Sequence, residues 1–291
     1  MNEYDFKPNL IGIGVQKCAS TWVYRIIEDH PQVGVSDPKE LDFFTCRYHY
    51  GFQWYLKHFQ GFSDKQVRAE ISPSYFTDPL APARVAEFNP EVKIIVTLRD
   101  PVKRAFSNHL HEIRLGHFCG TDLTFEYGMK NNPMYLEQSR YAKYLEHWLE
   151  YFSEDRVLVL LQEEIQHDPI TQSKRLYGFL GIDTTHQSSF LCRRANESYG
   201  EKVVGVEKSL KSLARIGRKL GMTAVVDHLR KNGLVHNIRA SNRVHLSSDI
   251  PPMLPGTESL LISELANDIE RLSKLLKRDN LPWASWDKLK S

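Results

Sequence analysis

The sequence has no long apolar run and few cysteines. Its longest clear apolar run, Val157–Leu161, is far shorter than the roughly 18 residues that a membrane-spanning helix needs. The four cysteines are spread along the chain without a CxxC pair or zinc-type spacing, which argues against a disulfide scaffold and a zinc module. The first ten residues are polar and acidic, unlike a secretory signal. These absences lead us to expect a cytoplasmic protein with reduced thiols and no transmembrane segment.

Little net charge is present overall, but its distribution is uneven. The 291 residues have a formal net charge of +2 at pH 7. Residues 193–243 hold twelve Lys and Arg against four Asp and Glu, and the rest of the chain is acidic at −6. A basic segment on an acidic body favours an anionic partner, such as nucleotide phosphates, an acidic polymer or nucleic acid. The alternative is the solvated face of an amphipathic helix with the apolar positions Val206, Leu210, Leu213, Ile216 and Leu220.

Buried strands and helices alternate along the first two thirds of the chain. Apolar runs predict strands at Leu10–Val15, Val92–Leu98 and Val157–Leu161, followed by helical patterns at 22–27, 101–110 and 169–180. Such alternation is typical of an α/β fold. We predict a P-loop-like central parallel sheet flanked by helices on both faces.

The last third of the chain is predicted to be helical. A basic helix is indicated near 205–235, and a linker over 250–256 precedes a final helix. The apolar face of that final helix would comprise Leu260, Leu261, Leu265, Ile269, Leu272, Leu275 and Leu276. We therefore expect one domain over residues 1–291, with a helical, basic C-terminal part over about 205–291.

The loop after the first predicted strand combines a cation, hydroxyl groups and a helix start. Residues 14–21 read Gly-Val-Gln-Lys-Cys-Ala-Ser-Thr. Backbone N–H groups and the helix dipole at such a position favour a bound anion. The loop is not of the GxxxxGK[ST] kind, because Cys18 follows Lys17 where that motif has its Mg²⁺-binding hydroxyl. The residues alone leave open an ordinary strand–helix turn.

A second basic loop follows the strand at Val92–Leu98. Arg99 stands at the carboxyl end of this strand, and Ser107 lies two turns into the next helix. Two such loops on adjacent strands suit a nucleotide with phosphates at its 3′ and 5′ positions. The alternative is that Arg99 only pairs with Asp100 or with a neighbour in the sheet.

Several short motifs agree, in order, with those of one enzyme family. Residues 16–22 (QKCASTW) are similar to a QKxGTTxL phosphosulfate loop, and residues 98–109 to the motif LRDPxxRxxSxY. Further matches are HPQV at 30–33, KELDFF at 39–44, GFQWY at 51–55, EISPSYF at 70–76, RRANES at 193–198 and LPW at 281–283. Over most of its length the chain resembles the PAPS-dependent sulfotransferases, more closely their heparan-sulfate-type and bacterial branch. PAPS is 3′-phosphoadenosine 5′-phosphosulfate.

The resemblance implies a reaction and two residues that carry it. A single sulfotransferase domain would move the sulfuryl group of PAPS in line onto an acceptor hydroxyl and release PAP, adenosine 3′,5′-bisphosphate. Glu40 would be the general base that takes the hydroxyl proton. Lys17 would neutralise charge on the bridging oxygen as the nucleotide leaves. The acceptor class, whether glycan, lipid, polyketide or another small molecule, is not indicated by the sequence.

The same resemblance implies a set of nucleotide contacts. The 5′ side would be held by Lys17, Cys18, Ala19, Ser20 and Thr21, with Trp22 facing the adenine. The 3′ phosphate would be held by Arg99 and Ser107, with Arg193 and Arg194 as weaker candidates.

The chain departs from the family pattern at three positions. Ala19 replaces a loop glycine, so we predict that its backbone avoids positive φ. Ile71 stands where a catalytic lysine is often found, and Asp42 where a histidine is often found. Three histidines are reserve candidates for the base: His49, His109 and His111.

Two other functions compete with sulfuryl transfer. A P-loop kinase or nucleotide hydrolase would need an Mg²⁺-binding acid, for which Asp100 is the candidate. A protein of another class would bind PAP or an acidic polymer without catalysis. We expect no metal, because His111-Glu112 lacks the second histidine of an HExxH motif at Leu115, and no nucleic-acid partner.

Overall fold

The computed structural model describes residues 7–118, 123–191, 199–201, 243–245 and 250–291, with the two three-residue pieces known by backbone only. The chain divides into two compact units. The larger comprises residues 1–108, 129–195 and 253–291, and the smaller comprises 109–128 and 196–252. The basic helix expected near 205–235 lies outside the described residues, as do Arg193 and Arg194.

The larger unit is built on a five-stranded parallel sheet. Its strands are β1 (Leu10–Gly14), β2 (Val33–Val35), β3 (Val67–Ile71), β4 (Lys93–Leu98) and β5 (Val157–Leu161). They lie in the order β2-β3-β1-β4-β5, and every neighbouring pair is parallel. The predicted central parallel sheet is confirmed. Two strands were not predicted, because β2 has three residues and β3 places Arg68 and Glu70 between its apolar residues.

Helices lie between successive strands of this sheet and also follow its last strand. In chain order they are α1 (Ser20–Glu28), α2 (Gly51–Leu56), α3 (Ala81–Phe88), α4 (Pro101–Arg114), α5 (Phe125–Asn131), α6 (Met134–Glu137), α7 (Tyr141–Leu149), α8 (Gln162–His167), α9 (Pro169–Leu180), α10 (Pro255–Leu275) and α11 (Ala284–Lys290). Short 3₁₀ turns occur at Tyr48–Tyr50, Lys57–Phe62, Pro73–Tyr75 and Glu154–Arg156. Pro101 opens α4 as predicted, and Gly181 ends α9 with a left-handed φ of 76°.

Both faces of the sheet are buried under helices. Successive residues of a strand point to opposite faces, so Ile94 and Val96 belong to one apolar cluster and Ile95 to the other. The first cluster includes buried residues of α3, α7 and α10, and the second those of α1 and α9. The prediction of helices on both faces is therefore confirmed.

The final long helix, α10, is anchored to α7 by a carboxylate. Asp268 accepts hydrogen bonds from the backbone N–H groups of Ala142 (2.9 Å) and Lys143 (3.0 Å), in the first turn of α7. The apolar face predicted for α10 is largely correct. Leu260 was wrongly placed on that face, because its side chain is 52% exposed.

The smaller unit contains an antiparallel pair, β6 (Tyr199–Glu201) and β7 (Arg243–His245), with Tyr199 opposite His245. No helix in the described part of the chain is long and apolar enough to cross a membrane.

Candidate active site

Three segments lie together where β1, β3 and β4 end. The N–H of Val15 donates to the carbonyl oxygen of Thr97 (2.8 Å), which ties the loop after β1 to β4. The N–H of Ser72 donates to the carbonyl oxygen of Gly12 (2.9 Å), which ties the segment after β3 to β1. Because parallel strands end at the same edge of a sheet, residues 15–21, 72–76 and 99–107 form one continuous edge.

Gly14 allows these segments to approach closely. Its φ is 134°, and a Cβ at this position would lie 2.9 Å from the carbonyl oxygen of Pro73. A side chain would separate the two segments, so the position requires glycine.

The loop at residues 15–21, which we call the phosphate loop, has a twisted backbone. Lys17 and Ala19 have left-handed φ values of 69° and 68°, on either side of Cys18. The prediction that Ala19 avoids positive φ is wrong. Ala19 is the N-cap of α1, and its carbonyl oxygen accepts from Trp22 (2.9 Å) and Val23 (3.2 Å), so helix formation outweighs a local cost of roughly 1 kcal/mol.

This backbone is suited to an anion. Left-handed residues within a turn arrange successive N–H groups around a concavity, and α1 directs its positive end toward the same loop. Ser20 and Thr21 open α1 and are half-buried, as is Lys17. The candidates for binding the 5′ side of the nucleotide thus lie on one turn of chain.

Two predicted nucleotide-binding residues, Cys18 in this loop and Trp22 in α1, are buried by packing. The Cys18 thiol is fully buried, and its Sγ lies 3.7 Å from the Tyr141 hydroxyl; burial raises the pKa of this thiol to about 12. Trp22 is 5% exposed and donates from Nε1 to the carbonyl oxygen of Leu191 at 3.2 Å. The nucleotide contacts of both residues stay predictions.

The second loop is joined to the phosphate loop by Tyr141. Its hydroxyl, which contacts Cys18, also donates to the carbonyl oxygen of Arg99 at 3.0 Å. Arg99 is half-buried at the end of β4, and Ser107 is half-buried on α4. The two predicted phosphate-binding loops therefore follow neighbouring strands, and the Tyr141 hydroxyl group bridges them.

Asp100 holds the start of α4. Oδ1 accepts from the N–H groups of Val102 (3.0 Å) and Lys103 (3.1 Å), and Oδ2 accepts from that of Ser285 (3.0 Å). The N–H of Asp100 donates to Oε1 of Glu163 (3.0 Å). This carboxylate is a helix cap, so the geometry does not favour it as the Mg²⁺ ligand of a kinase.

Arg104 is a motif residue for which sequence reasoning gave no role. It is fully buried and donates to Ser139 Oγ (2.8 Å), to Gln138 Oε1 (3.2 Å) and to the carbonyl oxygen of Tyr135. These bonds fix α4 against the turn before α7. The signal in the sequence was the second arginine of LRDPxxR.

Glu40 lies on a strained segment beside residues 72–76. We call residues 39–47 the carboxylate segment. Glu40 and Asp42 have left-handed φ values of 65° and 49°. The Glu40 side chain is 48% exposed and pairs with the ammonium group of Lys39. Ser74 Oγ donates to Asp42 Oδ1 at 2.6 Å, so the segment is attached to the chain that follows β3.

A buried carboxylate lies beneath this segment. Glu70 on β3 is fully buried, and its Oε1 accepts from Ser72 Oγ (2.5 Å) and from the Tyr75 hydroxyl (2.7 Å). Its Oε2 accepts from the Tyr55 hydroxyl (2.7 Å). Burial raises the pKa of Glu70 to about 7, against the lowering effect of these hydrogen bonds. Sequence reasoning recorded Glu70 only as the first letter of a motif.

Ile71, at the position of the family's lysine, is 2% exposed and packs in the second apolar cluster. Its side chain covers Gly12 closely enough that a Cβ there would lie 2.9 Å from it. Position 71 is therefore part of the core in this chain.

The reserve histidines occupy different environments. His109 is fully buried with Nε2 3.0 Å from the carbonyl oxygen of Leu123, and burial lowers its pKa. His111 contacts the guanidinium group of Arg114 at 2.5 Å. His49 is exposed against the ring of Tyr50, at 4.2 Å between centroids. In the described part of the chain, no group of three or more His, Cys, Asp or Glu is arranged to hold a metal ion.

Comparison with known proteins gives consistent matches. A family model described as "Sulfotransferase domain" matches residues 7–204. The human protein named heparan sulfate glucosamine 3-O-sulfotransferase 3B1 is 33% identical over 185 residues, 60% of this chain and 46% of that protein. Mouse bifunctional heparan sulfate N-deacetylase/N-sulfotransferase 4 is 31% identical over 202 residues, 61% of this chain and 23% of that protein.

A solved structure extends the likeness to nearly the whole chain. The crystal structure of a sulfotransferase from Alicyclobacillus acidocaldarius has a TM-score of 0.69 and 20% identity, covering 98% of this chain and 99% of that one. This match shows a shared fold. The chain spans less than half the length of the two curated relatives.

Proposed function

The chain belongs to the sulfotransferase domain family, and from that premise we propose that it transfers the sulfuryl group of PAPS to an acceptor hydroxyl and releases PAP. One observation carries the proposal. Two loops suited to binding phosphate follow the neighbouring strands β1 and β4. The carboxylate segment, with the half-exposed side chain of Glu40, is attached beside them through residues 72–76.

The nucleotide would be held from both ends. We assign the 5′ phosphosulfate to the N–H groups of the phosphate loop and to Lys17, Ser20 and Thr21. The start of α1 at Ser20 supports this assignment, because a helix N-terminus favours an anion. We assign the 3′ phosphate to Arg99 and Ser107, with help from Arg193 and Arg194 of the basic segment. Cys18, Ala19 and Trp22 would complete the nucleotide site through backbone and packing contacts.

The acceptor would be activated by Glu40. Its carboxylate takes the hydroxyl proton while the acceptor oxygen forms a bond to sulfur. The bond between sulfur and the bridging oxygen breaks, and its electron pair stays on the 5′ phosphate. Lys17 offsets the charge that develops there. Since the transferred group and the leaving group are both anionic, positioning and cations dominate such a reaction.

The acceptor group belongs to the classes that this family uses, hydroxyl or amine, and we propose a hydroxyl. The names of the relatives refer to both O- and N-sulfation of heparan sulfate. Glycans, lipids, polyketides and other small molecules all remain candidate acceptors for this chain. A cytoplasmic location stays a prediction from composition.

Two measurements test the proposal against its alternatives. In thermal denaturation, we expect PAP to raise the melting temperature and ATP with Mg²⁺ to leave it unchanged. In a transfer assay with ³⁵S-labelled PAPS, we expect label on at least one of N-sulfated heparosan, 4-nitrophenol and a long-chain alcohol. Stabilisation by ATP and Mg²⁺ alone would favour a kinase. Stabilisation by PAP with no label transferred to any acceptor would favour a binding protein.

A further inference from the structure

Glu70 connects the core to the segment that carries Glu40. We propose that Glu70 is a positioning residue, which uses two relayed hydroxyl groups to fix the backbone next to the Glu40 carboxylate. This inference rests on the proposed function, since it assigns Glu70 a part in the work of the proposed base.

The setting of Glu70 is unusual for a carboxylate. Its neighbours on β3, Ala69 and Ile71, belong to the second apolar cluster, so Glu70 points into the opposite face of the sheet. There it is fully buried among aromatic rings. Within the described residues its bonded partners are three hydroxyl groups and no Lys or Arg. A buried carboxylate without a cation is costly, so its hydrogen-bonding partners must compensate.

Two of those hydroxyl groups continue to the carboxylate segment. Ser72 Oγ accepts from the N–H of Asp42 at 3.0 Å. The Tyr75 hydroxyl accepts from the N–H groups of Phe43 (2.7 Å) and Phe44 (3.3 Å). Three successive N–H groups are thus bound by hydroxyl groups that themselves bind Glu70.

The carboxylate sets the direction of this relay. An ionised carboxylate only accepts hydrogen bonds, whereas a hydroxyl group has one proton and two lone pairs. Ser72 and Tyr75 therefore direct their protons to Glu70 and their lone pairs to the segment. An apolar residue at position 70 would free both hydroxyl groups to rotate.

The segment needs such restraint. Glu40 and Asp42 are in the left-handed region without being glycine, at a cost of roughly 1 kcal/mol each. Residues in that region persist only where the surrounding structure holds them. A displacement of about 1 Å in a reacting group is enough to cost a large factor in rate. Loss of the relay would therefore lower turnover even though Glu40 itself is unchanged.

The chain offers a matched pair of variants. Tyr75 and Tyr55 each donate one hydroxyl proton to Glu70 at 2.7 Å, and both are fully buried. Of these two tyrosine hydroxyl groups, only that of Tyr75 has, within the described residues, a hydrogen bond to the backbone of the carboxylate segment. Tyr75→Phe and Tyr55→Phe remove the same atom and keep the same ring. They differ in whether the removed atom reaches the segment.

The first test is structural and needs no acceptor. Hydrogen exchange of peptides covering residues 39–47 should become at least about 10-fold faster in Tyr75→Phe than in Tyr55→Phe, since only the former loses the bonds to Phe43 and Phe44. Equal exchange in both variants would overturn the proposal. Glu70→Leu should behave like Tyr75→Phe, while Glu70→Gln keeps an acceptor oxygen and should restore most of the protection.

The second test is kinetic, with N-sulfated heparosan as the acceptor probe at pH 8, where Glu70 is ionised. Tyr75→Phe should lower kcat by about 10- to 100-fold with the KM for PAPS unchanged within about twofold, and Tyr55→Phe should stay within about threefold of the wild type. If Tyr75 acts through Glu40, then Tyr75→Phe should have little further effect in a Glu40→Gln background.

If the fold-changes in kcat of Tyr75→Phe and Glu40→Gln multiply fully in the double variant, Tyr75 acts on folding and not on Glu40. Normal turnover in Glu40→Gln would instead refute the proposed base, and the exchange experiment would still decide whether Glu70 fixes the segment. The failures of the two proposals are therefore distinguishable.

Discussion

The phosphate loop and the carboxylate segment lie at the same edge of the sheet but are held in place differently. The phosphate loop directly follows β1 and runs into the first turn of α1, so neighbouring elements of the chain hold both of its ends, and Val15 is also bonded to Thr97 of β4. The carboxylate segment follows the short edge strand β2 and is fixed by bonds to Ser72 and Tyr75, about 30 positions away in the chain. Local chain geometry thus prepares anion binding, and tertiary hydrogen bonds prepare the proposed base. Substitutions in the two regions should separate nucleotide affinity from turnover.

The largest expected effect is in the phosphate loop. Lys17→Ala should lower sulfuryl transfer at least about 100-fold and weaken PAPS binding, because one such donor to developing charge contributes roughly 3 kcal/mol. Turnover measured with labelled PAPS tests this. The control is Lys57→Ala, which removes the same charge at an exposed position and should leave turnover nearly unchanged. Retention of more than about half of wild-type turnover by Lys17→Ala would refute the assignment of this loop.

The matching variant in the carboxylate segment is Glu40→Gln. It removes the proposed base and leaves the phosphate loop intact, so kcat should fall by about 100-fold while PAP affinity measured by calorimetry stays nearly constant. His49→Ala, His109→Ala and His111→Ala serve as comparisons. Near-normal kcat in Glu40→Gln, together with collapse in one histidine variant, would move the base to that histidine.

The loop at Arg99, the proposed site of the 3′ phosphate, sharpens the comparison further. Arg99→Ala should weaken PAP binding by about 10- to 100-fold, the usual contribution of a hydrogen bond to a charged group. Binding of adenosine 5′-phosphosulfate, which has no 3′ phosphate, should change much less. The bond from Tyr141 to the Arg99 carbonyl involves backbone and is kept in this variant. Equal losses for the two ligands in calorimetry would contradict a 3′-phosphate role.

A separate effect, on the free energy of unfolding and not on activity, concerns Glu70 beneath the carboxylate segment. Burial raises the pKa of Glu70 from 4.5 to about 7, so between these values the folded state holds a proton that the unfolded state has released. Stability from this group is therefore fully present below pH 4.5 and is lost as pH rises through 7. Glu70→Gln lacks this loss, and its stability relative to the wild type should increase by up to roughly 3 kcal/mol from pH 4.5 to pH 8.

Urea denaturation of the wild type and of Glu70→Gln at both pH values measures that difference. A stability difference between Glu70→Gln and the wild type that is the same at both pH values would show that Glu70 titrates normally.

The fold was predictable where apolar runs are continuous. The strands β1, β4 and β5 and the helix α9 follow from such runs and from their flanking Pro and Gly residues. The strand β3 was missed because Arg68 and Glu70 interrupt its apolar pattern. The conformation of Ala19 was predicted wrongly, since residue preference alone does not include the bonds that the first turn of α1 makes with its carbonyl oxygen.

The candidate site was predictable as a set of motifs, but its internal organisation was not. Family resemblance named Lys17, Glu40 and Arg99, because each belongs to a short contiguous motif. It gave no role to Glu70, although Ser72 and Tyr75 belong to the same motif, because the links to Tyr55 and to residues 42–44 form only on folding. The bridge from Tyr141 to Cys18 and Arg99 was invisible for the same reason.

The bond between Asp100 and Ser285 has a consequence for how the protein is made. The two residues are 185 positions apart, and Glu163, which binds the N–H of Asp100, also accepts from Trp283 Nε1 at 3.0 Å. A growing chain therefore contains all five strands of the sheet well before the Arg99 loop acquires these partners. Pairings of such long separation form late. A nascent chain halted before residue 281 would contain the sequence of all five strands but would lack the residues that hold the proposed 3′-phosphate loop. We therefore expect nucleotide binding to be one of the last properties to appear during synthesis.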